Sequence, residues 1–507
     1  MGSFSFDSLT DFREARPSEF YGVLSGSDTS RRLRQPIFGL FIQDDIHLRS
    51  NLTLNVGLRY EPTGSITEVD GKLAQLIDFT NPAATLDDIT IVDALVKNPT
   101  KRNVAPRVGL AWDPRGDGKL SVRAGAGVFN ELLTVSNPLV QNTAVRVPPF
   151  FTRVGLVAGP GFEIDFPNAF FTQSLASPTA ALEGIQYDYE QPVMYKWNVN
   201  VQRELWGGTV VEVGYNGSHG ENLWRQIFTN QRLPIVREDG RLFVPPGTPL
   251  VQPQFARMRL RVADSSSDYR GLTVGLTKRP SHGVHFQVSY TYAKSEDDGA
   301  SSLGGGDFSN DGTPRNYFDK ERGLSPFDIR HSLVANFNYD VPFAENRTGI
   351  AGALMRGWSL GTLVRVRSGL PFSPQVGFDS ARTSFGGRYP DLAPGADPNP
   401  VQGGIVQYFD PAAFVLPPPG VIGNLPRNTV IGPGSATLDL MIAKVIRIRG
   451  TELHLRGEAF NALNRANFSN PSAALFSSNG SRRAEAGRIT NTSTPARQMQ
   501  FGVKLVW

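Results

Sequence analysis

Apolar and polar residues alternate with period two along most of this chain. In Asn51–Glu61 one side reads Leu52, Leu54, Val56, Leu58 and Tyr60, and the other Thr53, Asn55, Gly57, Arg59 and Glu61. A strand sends alternate side chains to opposite faces, so such a segment separates apolar from polar completely. Val284–Tyr292 sets Val284, Phe286, Val288, Tyr290 and Tyr292 against His285, Gln287, Ser289 and Thr291. The C-terminal Met499, Phe501, Val503, Leu505 and Trp507 oppose Gln498, Gln500, Gly502 and Lys504. Lys119–Phe129 and Trp358–Arg367 repeat the pattern, and further strands read at 37–48, 105–113, 195–205, 208–217, 268–278, 328–341, 435–448 and 451–461. A short piece at 2–6 reads as the end of another. The expectation is about fourteen strands, and helical periodicity is almost absent.

Most of these strands run about 9–13 residues. A tilted strand crosses a bilayer in roughly 9–11 residues, whereas strands of soluble proteins average about 5–6. Connections are short at Arg49–Asn51, Pro114–Gly118, Trp206–Gly207, Pro280–His282 and Arg449–Gly450, where Gly, Pro, Asp, Asn and Ser supply turn chemistry. Between them lie long ones at about 7–34, 62–104, 131–194, 218–267, 296–327, 370–434 and 462–495, with 342–356 a medium turn on the short side. Such alternation matches transmembrane barrels, with tight periplasmic turns and long outer loops. The fold class expected is therefore all-β: a transmembrane antiparallel β-barrel with its C-terminus in the periplasm. Aromatics such as Tyr60, Trp112, Tyr195, Trp197, Tyr215, Tyr339 and Trp358 sit near strand ends, where interfacial girdles place them.

Four residues break the apolar face. Asp44, Arg203, His331 and Lys444 fall on it. A mid-bilayer charge on a barrel costs about 2–4 kcal/mol. Asp44, Arg203 and Lys444 are expected near short-turn ends, where the cost falls, or beside a bulge that shifts the register.

Composition changes the picture in a few places. The 507 residues include 51 Lys and Arg against 47 Asp and Glu, 52 Gly, 37 Pro and no Cys. The missing Cys excludes a disulfide framework, a thiolate metal site and a cysteine nucleophile. A net charge of +4 over this length is no nucleic-acid signature. No stretch approaches about 18 consecutive apolar residues, so no membrane-spanning helix is expected. The mean hydropathy of −0.23 averages a lipid face with a wet lumen and polar loops. Length alone suggests several domains of roughly 150 residues. The continuous β pattern argues instead for one unit over 1–507.

Candidate chemistry is sparse. There is no HExxH, P-loop or GxSxG motif, and no nucleophile, base and orienting group stand together, so no enzyme and no cofactor is expected. Asp297, Asp298, Asp307 and Asp311, among glycines in 296–319, form a weak calcium candidate of hard oxygen ligands, with a solvated loop as the plainer reading. The polar faces carry Arg59, Arg123, Glu204, Glu212, Arg365, Arg456 and Glu458. In a barrel these point to the lumen, where they are solvated, paired or in contact with a plug or substrate. Trp507, with Phe501 on the same face, reads as the terminal aromatic signal recognised by the barrel-assembly machinery.

The segments GLFIQDDIHLRSNLTLNVGLRYEP (39–62), NVAPRVGLAWDPRGDGKLSVRAGAGVF (103–129), YKWNVNVQRELWGGTVVEVGYNGSHGENL (195–223), YRGLTVGLTKRPSHGVHFQVSYTYAKSEDD (269–298), FDIRHSLVANFNYDVPF (327–343) and LHLRGEAFNALNRANF (453–468) stand in this order along the chain. Together they resemble the Oar-like TonB-dependent receptors. The resemblance runs nearly end to end in collinear order. It implies an outer-membrane location and a 22-stranded barrel around an N-terminal plug, with a signal peptide and a TonB-engaging segment ahead of it. By it, the chain corresponds to the C-terminal, plug-less part of a receptor, its start being truncated or misassigned. The expected partners are outer-membrane lipid and the assembly machinery, with TonB only if a plug segment lies upstream, and no nucleic acid. The expected function is uptake of an unidentified ligand. A TonB-independent porin-like or secretion-associated barrel and a secreted all-β adhesin remain as alternatives.

Overall fold

The computed structural model describes residues 2–6, 9–23, 26–158, 163–169, 179–299, 321–342, 349–384, 389–448 and 450–507. Thirteen long strands pair antiparallel in chain order. They are β1 (Leu40–Arg49), β2 (Leu52–Tyr60), β3 (Val104–Trp112), β4 (Leu120–Asn130), β5 (Val193–Glu204), β6 (Thr209–Phe228), β7 (Phe255–Ser281), β8 (Val284–Asp297), β9 (His331–Val341), β10 (Trp358–Arg367), β11 (Ser435–Ile448), β12 (Thr451–Phe460) and β13 (Gln498–Val506). Each registers directly with the next, so the row is a meander without crossovers.

Register carries the alternation from strand to strand. Val56 lies opposite Asp44 on one side and Val108 on the other, and Val108 lies opposite Ala126. Ile442 sits between Leu360 and Gly457, and Gly457 faces Phe501. One face is thus apolar across the row, and many of its large side chains are exposed: Val108 by 49%, Ile442 by 47% and Phe501 by 78%. A slip of one residue would turn every side chain to the opposite face, so this agreement fixes the register.

The short ends close tightly. At Ser281–Val284, which are register partners, His282 and Gly283 take φ of +52° and +75°. Two successive left-handed residues make the turn whose twist matches a hairpin, and Gly283 also approaches the Asp340 carbonyl too closely for a Cβ. The medium turn holds the helix Gly349–Met355.

That helix resolves one of the charged exceptions. Lys444, opposite Trp358 and Leu455 on the apolar face, is buried beneath it. Its Nζ donates to the carbonyls of Leu354 (2.8 Å) and Arg356 (2.7 Å) and lies 4.7 Å from the centre of the Trp358 ring. The last carbonyls of a helix lack intrahelical partners and carry its negative pole, so the ammonium satisfies both and is itself satisfied. Arg203, opposite Leu120 and Val211, sits at its strand's short-turn end as expected. His331, at the other end, shares a hydrogen bond of 2.8 Å with Tyr290 Oη. Asp44 differs: it lies mid-strand in β1, and the one irregularity in that pairing falls later, between His47 and Arg49. A bulge therefore does not account for its outward side chain.

The long connections are not the structureless loops their sequence implies. Strands β6 and β7 continue as a paired ribbon beyond the ends of their neighbours, to Phe228 opposite Arg259. Thr179–Ile185 pairs with the ribbon in parallel, and Arg153–Val157, Glu19–Val23 and Gly2–Ser5 extend the same sheet. Gly2–Ser5 thus joins this outer assembly and does not stand beside β1, where a fourteenth barrel strand would be. Fully buried apolar side chains concentrate here too. One cluster gathers Ile66, Leu73, Leu95, Leu133, Val140 and Ile185; another Leu76, Leu182, Phe255 and Met258; a third Val376, Phe409, Phe414, Leu425 and Leu475.

Among the described residues, β1 pairs only with β2 and β13 only with β12, and both edge strands are exposed along their whole length.

Val108→Arg, at the centre of β3 on the apolar face, should destabilise the lipid-inserted protein by about 2–4 kcal/mol. Gln287→Arg on the polar face of β8 should stay within about 0.5 kcal/mol of the parent; urea unfolding in lipid vesicles measures both. A double-mutant cycle of Lys444→Ala with Trp358→Ala should show a coupling of about 0.5–2 kcal/mol, and a coupling of zero would remove the ring from the account.

Candidate functional site

The polar face of the row is where the sequence-derived residues lie. Glu212, in register with Gln202, accepts a hydrogen bond of 3.0 Å from that amide and a second from Asn200. Arg365 reaches Asp439 on the neighbouring strand at 3.2 Å. Arg456 and Glu458, two apart on β12, bond at 2.6 Å, and Arg59 and Glu61 pair at 2.7 Å. Glu204 lies 3.8 Å from Arg279. Arg123 is exposed, opposite Asn200 and Ala111. Alternation explains why same-face neighbours meet: residues two apart, or opposite in register, are the pairs a pleated sheet brings together. These seven residues spread over β2, β4, β5, β6, β10 and β12 and form no single centre.

Two of the four acidic-loop candidates, Asp297 and Asp298, lie among the described residues. Asp307 and Asp311 lie outside the described residues. The carboxylate of Asp297 accepts from Arg427 Nη1 at 2.7 Å, in a pair whose side chains are 4% and 0% exposed. Asp298 accepts from Ser265 Oγ, Ser266 N and Ser266 Oγ, each at 2.7 Å. Both carboxylates are thus committed to protein donors. Asp297, at the end of β8, ties the loop that follows β10 to the strand row. Among the described residues no group of three His, Asp or Glu is placed to hold a metal ion.

A second cluster lies at the long-loop end, where parallel pairing sets Glu183 beside Arg259. Arg259 Nη1 donates to Glu183 Oε1 at 3.0 Å, Arg261 Nη1 donates to Oε2, and Arg146 Nη1 stands 3.7 Å from Oε1. Burial pushes the Glu183 carboxyl up, but Arg261, Arg259 and Arg146 together hold it below the usual carboxylate range. Nearby, Arg225, whose side chain is fully buried, forms a two-pronged pair with Asp264 at 2.6 and 3.0 Å. Glu183 and its partners lie in 131–194 and 218–267, which read from sequence as long connections. The signal was present in Arg257, Arg259 and Arg261, spaced by two like any strand face.

The C-terminal aromatics project outward. Phe501 faces Gly457 on the apolar side, and Trp507, 91% exposed, follows the last pairing of β13.

No curated protein matches the chain. Three solved structures resemble it over most of its length. The FrpB iron transporter of Neisseria meningitidis (F3-3 variant) has a TM-score of 0.42 at 10% identity, covering 99% of this chain and 48% of its own. The siderophore receptor PiuA of Acinetobacter baumannii has 0.42 at 11%, covering 96% and 44%. The outer membrane transporter YddB of Escherichia coli has 0.47 at 10%, covering 92% and 44%. The chain therefore spans less than half the length of each. The family model described as an outer membrane beta barrel domain matches residues 1–500, and with its meander of strands that separates an apolar face from a polar one, the chain belongs to that family.

Proposed function

We propose that this chain is the barrel portion of a TonB-dependent outer-membrane receptor that takes up a ligand from outside the cell. The observation carrying this reading is the combination of one continuous apolar face with a polar face and a built assembly at the long-loop end. A simple pore needs the first two. The third, with three buried clusters and several buried ion pairs, suits a surface that recognises a ligand. The collinear resemblance to Oar-like receptors supports the same reading. On it, the long loops face outward, the C-terminus faces the periplasm, Trp507 and Phe501 serve the assembly machinery, and Arg59, Arg123, Glu204, Glu212, Arg365, Arg456 and Glu458 line the lumen. TonB acts on this polypeptide only through a plug segment joined to it.

Two measurements test the reading. Expressed behind an export signal in a Gram-negative host, the chain should fractionate with the outer membrane and migrate faster unheated than heated in detergent gels. Recovery as a soluble monomer without detergent would overturn the membrane assignment. The coding DNA upstream of Met1 should hold an in-frame plug and TonB-engaging segment. A dedicated start with no such segment would instead favour a TonB-independent, porin-like barrel.

A further inference from the structure

The cluster around Glu183 is unbalanced. Three guanidinium groups surround one carboxylate, so the group carries a surplus of two positive charges. Arg261 is 6% exposed, and arginine does not relieve burial by losing its proton. A buried charge is stable only when paired and hydrogen-bonded, and Glu183 pairs with one equivalent of the three.

The donors show the same imbalance. Arg259 and Arg261 each give Nη1 to Glu183, but their Nε atoms are buried with no acceptor among the described residues. Thr143 Oγ1 is also buried with no partner among the described residues. It lies on the helix Pro138–Ala144, which packs against Thr179–Ile185, the strand carrying Glu183. Arg146 follows two residues after that helix and is 39% exposed, so the cluster opens to solvent on that side. Arg259 is held by stacking on Phe228, its guanidinium carbon 5.5 Å from the ring centre.

We infer that this cluster is a binding site for a doubly charged oxyanion of the phosphate-monoester class. Such a group brings two negative charges and several acceptor oxygens, which match the surplus charge and the orphaned N–H and O–H donors. Guanidinium forks suit its geometry. Glu183 holds Arg259 and Arg261 in place and competes with the ligand for them. The phosphate comes either from solution or from a lipid headgroup. The assignment does not depend on how the barrel is energised.

The test uses the full chain folded in non-phosphorylated detergent, each variant checked for heat-modifiable migration. Inorganic phosphate is titrated calorimetrically. The parent should bind it, Arg146→Gln should weaken binding at least roughly tenfold, and Glu183→Gln should tighten it by a similar factor. The opposite signs separate a ligand site from a structural ion-pair hub, since losing either partner of a hub would only loosen the fold. In a second arm, the protein is offered phosphatidylcholine vesicles with and without phosphatidic acid. An Arg146-dependent preference for phosphatidic acid assigns a lipid headgroup, and phosphate binding without that preference assigns a free phosphate. Absence of phosphate binding by the parent, or equal affinities in parent, Arg146→Gln and Glu183→Gln, would overturn the proposal.

Discussion

A bilayer offers no water to a peptide group, so every N–H and C=O inside it needs a partner within the protein. Nearly everything in this chain answers that demand. A ladder between neighbouring strands satisfies the backbone without spending side chains, which leaves each strand's two faces free for opposite tasks. The outward one is set by lipid and reads Leu52, Leu54, Val56 and Leu58. The inward one is set by water and its own pairs, as at Glu212 with Gln202 or Arg365 with Asp439. The strands therefore carry little buried core.

The core lies instead at the long-loop end, in the connections and in the extended ends of β6 and β7. Lipid covers one face of the row and the polar face stays wet, so neither can bury a cluster such as Phe409 with Phe414 and Leu475. Those side chains pack where the long connections meet, and buried charges lock them to the strands. Arg427, late in the chain, reaches back to Asp297 at the end of β8. Arg241 pairs with Asp391 at 2.6 Å across two different connections. Such pairs are costly to bury and costly to break. Removing one partner would leave the other charge buried and uncompensated, so each pair ties its two segments together.

This division also governs what could be read from the sequence. Alternation is local, so Asn51–Glu61 or Val284–Tyr292 declares itself within ten residues. The meander order follows from short connections such as Pro280–His282. The outer assembly was not legible, because its strands are short and its contacts distant. Arg153–Val157 pairs with Glu19–Val23, and Glu183 meets Arg259 and Arg261. No window of sequence contains both members. Gly2–Ser5 alternates like a barrel strand and still pairs elsewhere, since four residues cannot specify a neighbour. Asp297 and Asp298 read on composition as part of a solvated loop with a weak calcium candidate, and the distant Arg427 with Ser265 and Ser266, which donate to their carboxylates, could not be read from it. Lys444 looked like a defect until the helix of 349–355 supplied its acceptors.

The same constraint bears on the two ends of the row. In hydrocarbon, each unpaired backbone group costs several kcal/mol, and an edge of nine or ten residues exposes several such groups. Burial of apolar side chains against lipid does not offset that cost. The membrane-inserted form therefore needs the edges of Leu40–Arg49 and Gln498–Val506 covered, by each other or by further strands. Asp44 fits this requirement. Its carboxylate points outward from the middle of an edge strand, a poor position against lipid. A strand added beside it would set a same-face side chain opposite Asp44, the kind of neighbour a cross-strand pair needs.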